Sequence, residues 1–346
     1  MMKIQASITA VALCALSALT MASCSSSASS ATSAAQSTST PSSTTMTSST
    51  GVGSIPGGST KGVARSAPVT KLGIPYATAS PNETLDLYLP ASSGSKPVPI
   101  VVLIHGGAFK IGDSTMEATH AEALVQQGIA AASVNYRLSG EALFPAGAQD
   151  VKAAVRWLRA HASQYGLDPS EVGAWGESAG GWMANMLGAT GDQKTIFDNS
   201  SLGNSSQSSA VQAVVSWYGP SDFATMDAQA ALSKCASPQV HGTADSPESQ
   251  WLGGAVNTSS STAATDISPY VAKAKTLPAW YLAHGDSDCQ VPGGQSLELK
   301  DALAKRGVTA SYHVLAGAGH MDPAFEQTQL QPSIAFLKTA LSTQRQ

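Results

Sequence analysis

The stretch Trp175-Gly176-Glu177-Ser178-Ala179-Gly180-Gly181 decides the fold of this chain. It has the form Gly-x-Ser-x-Gly, follows the short apolar run 172–175 and precedes the helix-like stretch 182–189. Small residues at this spacing let a strand turn tightly into a helix and present the serine hydroxyl at the tip of the turn. The pattern predicts a nucleophilic Ser178. Since so short a pattern also occurs by chance in glycine-rich turns, the surrounding sequence must decide.

Buried strands alternate with helices on both sides of this turn. Thr84–Leu89 alternates like a half-exposed strand, and further strands are predicted at 100–104, 129–135, 172–175, 211–218, 279–284 and 308–315. Apolar residues at helical spacing predict helices at 116–127, 146–165, 182–189, 296–305 and 333–341. This alternation predicts a doubly wound, mostly parallel α/β sheet with helices on both faces.

Two polar stretches, 190–210 and 221–276, interrupt the alternation. The second is long and Ser-rich, and we expect it to be a cap insertion over the site, because long insertions of this kind are usually functional. The catalytic domain is predicted to span residues 66–346, which is the size of one large domain.

The N-terminus has the pattern of an export signal. Lys3 supplies a positive charge, residues 8–21 are apolar, and Met21-Ala22-Ser23-Cys24 resembles a bacterial lipobox with Met21 in place of the usual leucine. We expect a lipoprotein-type signal peptide over 1–23 and a lipid on Cys24; a plain secretory signal cut nearby is the alternative. Either makes the protein an exported bacterial one, in the cell envelope or secreted.

Residues 24–65 are mostly Ser, Thr, Ala and Gly. Such a stretch cannot bury enough apolar surface to order itself, so it is predicted to be a disordered tether, with membrane contact only through the lipid anchor. The whole chain has 346 residues, 12% of them charged, and a net charge of −4. Because no basic patch stands out, a nucleic-acid partner is not expected.

Cys235 and Cys289 are the two of four cysteines that lie outside the predicted signal and lipid site. In an oxidising compartment two such cysteines are expected to form a disulfide. Two free buried thiols are the alternative.

A serine nucleophile needs a base, an acid that orients the base, and donors for the developing oxyanion. His320 follows the last predicted strand, where the order serine, acid, histidine requires the base. The acid lies within 284–292, where Asp286 and Asp288 compete and spacing alone does not separate them.

The remaining histidines have simpler interpretations. His105 and His284 each precede a glycine at a strand end and are expected to support loops. The others lie in a surface helix (His161), in a strand (His313) and in polar stretches (His120 and His241). No His, Cys or Glu cluster has metal-ligand spacing, so neither a metal nor a cofactor is expected.

The segment His105-Gly106-Gly107-Ala108-Phe109 follows an early buried strand. Its two glycines let backbone N–H groups approach a ligand. Together with the N–H of Ala179, directly after Ser178, this loop is expected to form an oxyanion hole.

These landmarks resemble the hormone-sensitive-lipase-like branch of the α/β-hydrolases, and most closely the bifunctional feruloyl/acetyl esterase family (BD-FAE-like). The resemblance covers about residues 70–340. It rests on HGGAF (105–109), NYRL (135–138), FPAGAQDVKAAVRWLR (144–159), GESAGG (176–181), VQAVVSWYGPSDF (211–223), DSPESQWLGG (245–254), HGDSDCQVP (284–292) and GAGH (317–320).

The resemblance implies an α/β-hydrolase fold with a Ser178, His320 and Asp288 triad, because the family's acid is the fifth residue of HGxxDxxVP. It also implies oxyanion donors at Gly107, Ala108 and Ala179, although the family usually has a glycine where this chain has Ala108. A bridge between Cys235 and Cys289 would tie the cap to the loop that carries the acid.

The expected function is hydrolysis of short acyl or aryl esters through an acyl-enzyme intermediate. Acetyl or feruloyl esters of polysaccharides are the substrates suggested by family analogy alone. The alternatives are a serine exopeptidase of the prolyl-oligopeptidase type and a non-catalytic surface-binding lipoprotein. The sequence does not predict acyl-chain preference or oligomeric state.

Overall fold

A computed structural model describes residues 68–91, 96–191 and 193–342. The predicted signal peptide over 1–23, the predicted lipid site Cys24 and the predicted tether over 24–65 lie outside the described residues and stay predictions. Within the described ranges, no helix combines the length and the apolar character that crossing a membrane requires.

An eight-stranded sheet forms the centre of the described chain. Its strands are β1 (Val69–Pro75), β2 (Thr84–Leu89), β3 (Val98–Ile104), β4 (Ala130–Val134), β5 (Leu167–Glu177), β6 (Ala213–Trp217), β7 (Ala279–Gly285) and β8 (Ser311–Leu315). They lie in the order β1-β2-β4-β3-β5-β6-β7-β8. β2 is antiparallel to both of its neighbours, and every other pairing is parallel. The predicted mostly parallel sheet is confirmed.

Helices cover both faces of this sheet. They are α1 (Ala118–Gln126), α2 (Ala146–Ala160), α3 (Ala162–Tyr165), α4 (Ala179–Thr190), α5 (Met226–Ala230), α6 (Pro247–Leu252), α7 (Ser268–Lys273), α8 (Gly294–Lys305) and α9 (Ala324–Ser342). Short 3-10 turns occur at Ser114–Glu117, Ser200–Leu202, Phe223–Thr225 and Thr262–Thr265.

Strand β3 shows why the sheet is doubly wound. Ile100, Val102 and Ile104 pack on one face with apolar residues of α2, α4 and α8. Val101 and Leu103 point to the other face, where they pack with residues of α1 and α9. Because alternate side chains of a strand face opposite sides of a sheet, a strand buried on both faces needs an unbroken apolar run.

Several elements differ from the prediction, among them β1, β5, β8 and α9; β5 begins at Leu167 instead of 172. β1 was not predicted, because almost all of its residues are exposed at the sheet edge and carry no apolar pattern. β8 is shorter than the predicted 308–315. α9 begins at Ala324, nine residues before the predicted helix 333–341, and continues through Pro332.

The 221–276 segment, which was predicted to be a cap, contains α5, α6 and α7 between β6 and β7. It packs on the core through Trp251 of α6, which is fully buried and stacks on Phe109 with ring centroids 4.0 Å apart. Trp182 of α4 meets the same indole edge to face at 5.3 Å. The segment is therefore joined to the loop after β3 and to the helix after Ser178; its role as a cap stays a prediction.

Replacing Trp251 by alanine should remove this aromatic contact and leave a cavity. We expect Trp251→Ala to lower the free energy of unfolding by about 3–5 kcal/mol, measured by urea denaturation. Leu232→Ala in the same segment is the control, because Leu232 is 89% exposed and should change stability by less than about 0.5 kcal/mol. An equal effect of both substitutions would show that α6 does not contribute to the core.

Candidate active site

Ser178 lies between the end of β5 and the start of α4, at a backbone φ of 53° and ψ of −120°. Its N–H donates to the carbonyl of Trp217 at 3.0 Å, which fixes the turn against β6. The flanking glycines are sterically required. A Cβ on Gly180 would collide with the carbonyl oxygen of Ile104, and one on Gly176 with the carbonyl oxygen of Gly180. The sequence pattern thus produces the predicted elbow, with the serine held in a conformation that side chains rarely adopt.

The structure brings Ser178, His320 and Asp288 together. Nε2 of His320 lies 2.9 Å from the Ser178 hydroxyl oxygen, and Nδ1 lies 2.7 Å from Oδ2 of Asp288. Asp286, the competing candidate, lies apart from the imidazole. It pairs with Lys234 and accepts the N–H of Gly317 at 2.7 Å.

The surroundings of Asp288 keep it ionised. Its Oδ1 accepts the backbone N–H groups of Gln290 at 2.8 Å and Val291 at 2.9 Å. Burial alone would raise the pKa of Asp288, but hydrogen bonds and charge from His284 and His320 outweigh it and hold the pKa well below its ordinary value. An ionised carboxylate at this position fixes the tautomer of the neighbouring imidazole.

His284, at the end of β7, holds the loop that carries Asp288. Its Nε2 lies 2.9 Å from the carbonyl oxygen of Val291, and its Nδ1 lies 2.7 Å from the hydroxyl of Ser296 in α8. Both ring nitrogens therefore have partners in the protein. The residue closes the loop back on its own strand, in keeping with the structural role given to it from the sequence.

The loop after β3 has an unusual backbone. Gly107, Ala108 and Phe109 have consecutive positive φ values of 105°, 55° and 60°. The carbonyl of Gly107 accepts the N–H groups of Lys110 at 2.9 Å and Ile111 at 3.1 Å, which closes the turn. A Cβ at position 107 would collide with the carbonyl of Ile111, so glycine is required there.

A cavity of about 40 Å³ lies at the serine. Of the three predicted oxyanion donors, Ala108 and Ala179 line it together with Ser178 and His320, and Gly107 precedes them in the loop. The opposite wall comes from the 221–276 segment and from the loop after β7. It is formed by Gln239, Pro247, Glu248, Gln290 and Val291.

A disulfide joins Cys235 to Cys289, with Cα atoms 5.3 Å apart. The N–H of Gln239 also donates to the carbonyl of Cys289 at 2.8 Å. Since Cys289 directly follows Asp288, the 221–276 segment is attached covalently to the loop that carries the carboxylate.

A buried charged cluster below the elbow was missed by the sequence analysis, which placed His120 in a polar stretch. His120 Nδ1 lies 2.8 Å from Glu117, and Nε2 lies 2.7 Å from Glu326. Burial lowers the pKa of His120, but the two carboxylates outweigh it and raise it to about 10. Glu117 and His120 lie three residues apart on adjoining helical turns. Because residues at this spacing are neighbours on a helix, the spacing could have predicted the pair.

Glu177, the residue before the serine, belongs to this cluster. Burial, together with the charge of Glu117, raises the pKa of Glu177 to about 7. Its Oε2 accepts the hydroxyl of Tyr218 at 2.6 Å, and the Tyr218 ring meets the His320 imidazole edge to face at 4.7 Å. The buried cluster therefore reaches the side of His320.

Among the residues that the structure describes, two groups of side chains could hold a cation by distance alone. One is Glu117, His120 and Glu177, and the other is Asp222, Asp266 and Glu298. Burial and the two neighbouring carboxylates raise the pKa of Asp222 to about 6. Neither group was predicted, because Glu177 lies far along the chain from Glu117 and His120, and Asp222, Asp266 and Glu298 come from three separate parts of it.

Glu177→Gln should change how stability depends on pH. The pKa of Glu177 is raised from 4.5 to about 7, so between these values the unfolded chain ionises while the folded protein stays protonated. The wild type therefore loses stability as pH rises from 4.5 through 7, and the variant lacks that loss. Urea denaturation at a series of pH values measures the difference, and parallel curves for the two proteins would contradict the raised pKa.

The chain is similar to known esterases. It is 26% identical over 244 residues to esterase LipC of Mycobacterium tuberculosis and 28% identical over 250 residues to esterase LipQ of the same organism. These matches cover 69% and 71% of this chain. They span only 57% and 56% of the two relatives, a little over half their length.

Solved structures are similar over more of the fold. A truncated carbohydrate esterase from gut microbiota is 29% identical, with a TM-score of 0.70, and the match covers 82% of this chain and 99% of that one. A bifunctional GH43-CE protein of Bacteroides eggerthii is 31% identical, with a TM-score of 0.69, over 78% of this chain and 38% of that one.

The family model BD-FAE matches residues 85–303, which is more than half of the chain and includes both the elbow and the loop of Asp288. The protein therefore belongs to the BD-FAE family and has the α/β-hydrolase fold.

Proposed function

We propose that the protein is a serine carboxylic-ester hydrolase for short-chain acyl or aryl esters, with Ser178 as nucleophile. The observation that carries the proposal is the hydrogen-bonded line from the Ser178 hydroxyl through both nitrogens of His320 to Asp288, at 2.9 and 2.7 Å. This arrangement lets an imidazole accept the serine proton while a carboxylate stabilises the imidazolium that forms.

In the proposed reaction the Ser178 oxygen attacks the ester carbonyl carbon, and His320 takes the hydroxyl proton. Backbone N–H groups of Gly107, Ala108 and Ala179 stabilise the negative oxygen of the tetrahedral intermediate. The carbon–oxygen bond to the alcohol then breaks, and the alcohol leaves with the proton from His320. Water, deprotonated by His320, attacks the acyl-enzyme and releases the carboxylic acid and the free serine.

The size of the cavity supports a short acyl group. Its volume is about 40 Å³, and a site for one water molecule needs about 10–15 Å³ on the same measure. An acetyl group is only a few atoms larger than water, whereas a long acyl chain would require the 221–276 segment to move. We therefore place acetyl esters first among the substrates.

Polysaccharide esters are the proposed natural substrates. The similarity to a carbohydrate esterase from gut microbiota at 29% identity supports this substrate class. Similarity to the mycobacterial esterases supports ester hydrolysis in general. Feruloyl esters are the second substrate class within this proposal.

We also propose that the protein is exported and anchored to the bacterial cell envelope through a lipid on Cys24. The charged residue Lys3, the apolar run 8–21 and the lipobox-like residues before Cys24 support this location. The Cys235–Cys289 disulfide is in keeping with an oxidising compartment.

Ser178→Ala should abolish hydrolysis of 4-nitrophenyl acetate, butyrate and octanoate, lowering kcat by about 10³-fold or more. For the wild type, kcat/KM should fall from acetate to octanoate because the cavity is small. Circular dichroism and urea denaturation of the variant control for misfolding. Equal rates for the folded variant and the wild type would refute Ser178 as nucleophile.

Sequence spacing did not choose between Asp286 and Asp288 as the acid, so substitutions of these two residues form a matched pair of variants. Asp288→Asn should lower kcat by about 10³- to 10⁴-fold, because an amide at this position favours the wrong imidazole tautomer. Asp286→Asn should retain most of the activity, since Asp286 contacts Lys234 and Gly317 and not the imidazole. Measuring kcat on 4-nitrophenyl acetate for both variants tests the assignment, and the opposite ranking would make Asp286 the acid.

A further inference from the structure

His241 and Glu248 form a buried polar pair in the 221–276 segment. His241 is 1% exposed and Glu248 is 6% exposed. Nδ1 of His241 lies 3.0 Å from Oε2 of Glu248. Neither of these atoms, nor Nε2 of His241, has hydrogen-bond geometry with any partner among the described residues. Since buried polar groups in proteins almost always have partners, the unused capacity needs an explanation.

The ion pair with His241 accounts for Oε2 of Glu248, which is fully buried. Glu248 is also one of the residues that line the cavity with Ser178 and His320, and its side chain is 8% exposed. Gln239 and Gln290 line the same cavity, together with the apolar residues Pro247 and Val291. A molecule bound at Ser178 therefore meets a wall that contains one carboxylate and two amide residues among apolar ones.

The backbone around the pair is fixed independently of these two side chains. The carboxylate of Asp227 accepts the N–H groups of His241 at 2.6 Å and Gly242 at 2.8 Å. At the start of α6, the hydroxyl of Ser246 donates to the carbonyl of His241 at 2.6 Å and accepts the N–H of Ser249 at 3.1 Å. These hydrogen bonds close the turn without using the imidazole of His241 or the carboxylate of Glu248.

The chemistry of this wall selects the ligand. A carboxylate offers only acceptors, and amide groups offer both donors and acceptors, so together they match hydroxyl groups, which also do both. An aliphatic alcohol would bury the carboxylate without a partner, and that is unfavourable. Hydroxyls beside an ester are the defining feature of a partly acetylated sugar or another polyol.

We propose that Glu248, positioned by His241, is a specificity-determining residue that accepts a hydrogen bond from a free hydroxyl on the alcohol part of the ester. The site then selects acetylated polyols, such as sugars, over acetates of plain alcohols. This inference rests on the proposed esterase function and deepens it, because it assigns the recognition of the alcohol to one side chain.

Three acetates with the same acyl group test the proposal: 2-hydroxyethyl acetate, propyl acetate and acetylcholine. The first two differ by a hydroxyl in place of a methyl group of similar size. We expect Glu248→Leu to lower the ratio of kcat/KM for 2-hydroxyethyl acetate to that for propyl acetate by about tenfold or more, since hydrogen bonds to charged groups are strong. Glu248→Gln, which keeps one acceptor oxygen, should lower the ratio less.

Comparing ratios cancels the different intrinsic reactivities of the two esters. Hydrolysis of 4-nitrophenyl acetate, which carries no such hydroxyl, is measured for each variant so that a general loss of activity is separated from a change in the ratio. His241→Leu should lower the same ratio, as expected for a residue that acts through Glu248. Asp245→Leu is the matched control: it removes an exposed carboxylate just before α6 and should leave the ratio unchanged.

Each other outcome overturns a defined statement. If Glu248→Leu lowers kcat/KM equally for both esters, and so leaves the ratio unchanged, Glu248 does not bind the hydroxyl. If acetylcholine is the preferred ester and loses that preference in the variant, the pair binds a cation and the hydroxyl assignment is wrong.

Folding problems do not remove the test. If Glu248→Leu fails to fold, two other measurements still test the proposal. Glu248→Gln should lower the ratio, and the wild-type ratio should exceed the ratio of the rates at which alkali hydrolyses the same two esters. If the wild type hydrolyses none of the acetates, 4-nitrophenyl acetate included, the esterase function itself is refuted. Hydrolysis without a hydroxyl preference refutes only the role of Glu248.

Discussion

The contact between Gly180 and the carbonyl of Ile104 is the constraint on which the rest of the site depends. The first turn of α4 lies so close to the end of β3 that no side chain fits between them. That approach places Ser178 beside the loop that begins at His105, and a Cβ on Gly106 would lie only 3.3 Å from the Cβ of Ser178. One backbone contact therefore sets the distance between the nucleophile and the expected oxyanion donors. The positive φ of Ser178 is the conformational cost, which the packing of a fully buried α4 offsets.

The parallel sheet supplies the other half of the geometry. β7 and β8 are neighbours, so the loops that follow them bring Asp288 and His320 to the same edge as the elbow after β5. Below that edge lies a second set of charges, in which Glu177 connects the His120 cluster to Tyr218 and so to the side of the imidazole. Asp288 contacts His320 directly and Glu177 reaches it through Tyr218, and the pKa values of these two carboxyl groups are shifted in opposite directions. Hydrogen bonds to Asp288 and the burial of Glu177 explain the difference.

Much of this could be predicted from the sequence wherever burial leaves a continuous apolar pattern. β3 and β6 were found because both of their faces are covered, whereas β1 was missed because its exposed residues carry no pattern. Spacing could not choose between Asp286 and Asp288, because both follow β7 within a few residues and only the course of the loop separates them. His120 and His241 were set aside as members of polar stretches. Both are buried. His120 has a partner that is distant in sequence, and His241 lies in a turn without an apolar pattern, so local composition does not predict the burial of either residue.

The cavity at Ser178 has walls of two different origins. The side that carries the proposed chemistry comes from strand ends of the sheet, where glycine contacts and buried packing leave little freedom for substitution. The other side comes partly from the loop after β7, through Gln290 and Val291, and mainly from the 221–276 segment. The turns of this segment are closed by their own hydrogen bonds, and it is attached through Cys235 and the backbone of Gln239. In the proposed enzyme, most of the surface that selects the substrate is therefore encoded apart from the reactive side chains. Substrate range can diverge by replacement of one insertion while the sheet and its reactive side chains stay the same, provided that the anchor to Cys289 is retained.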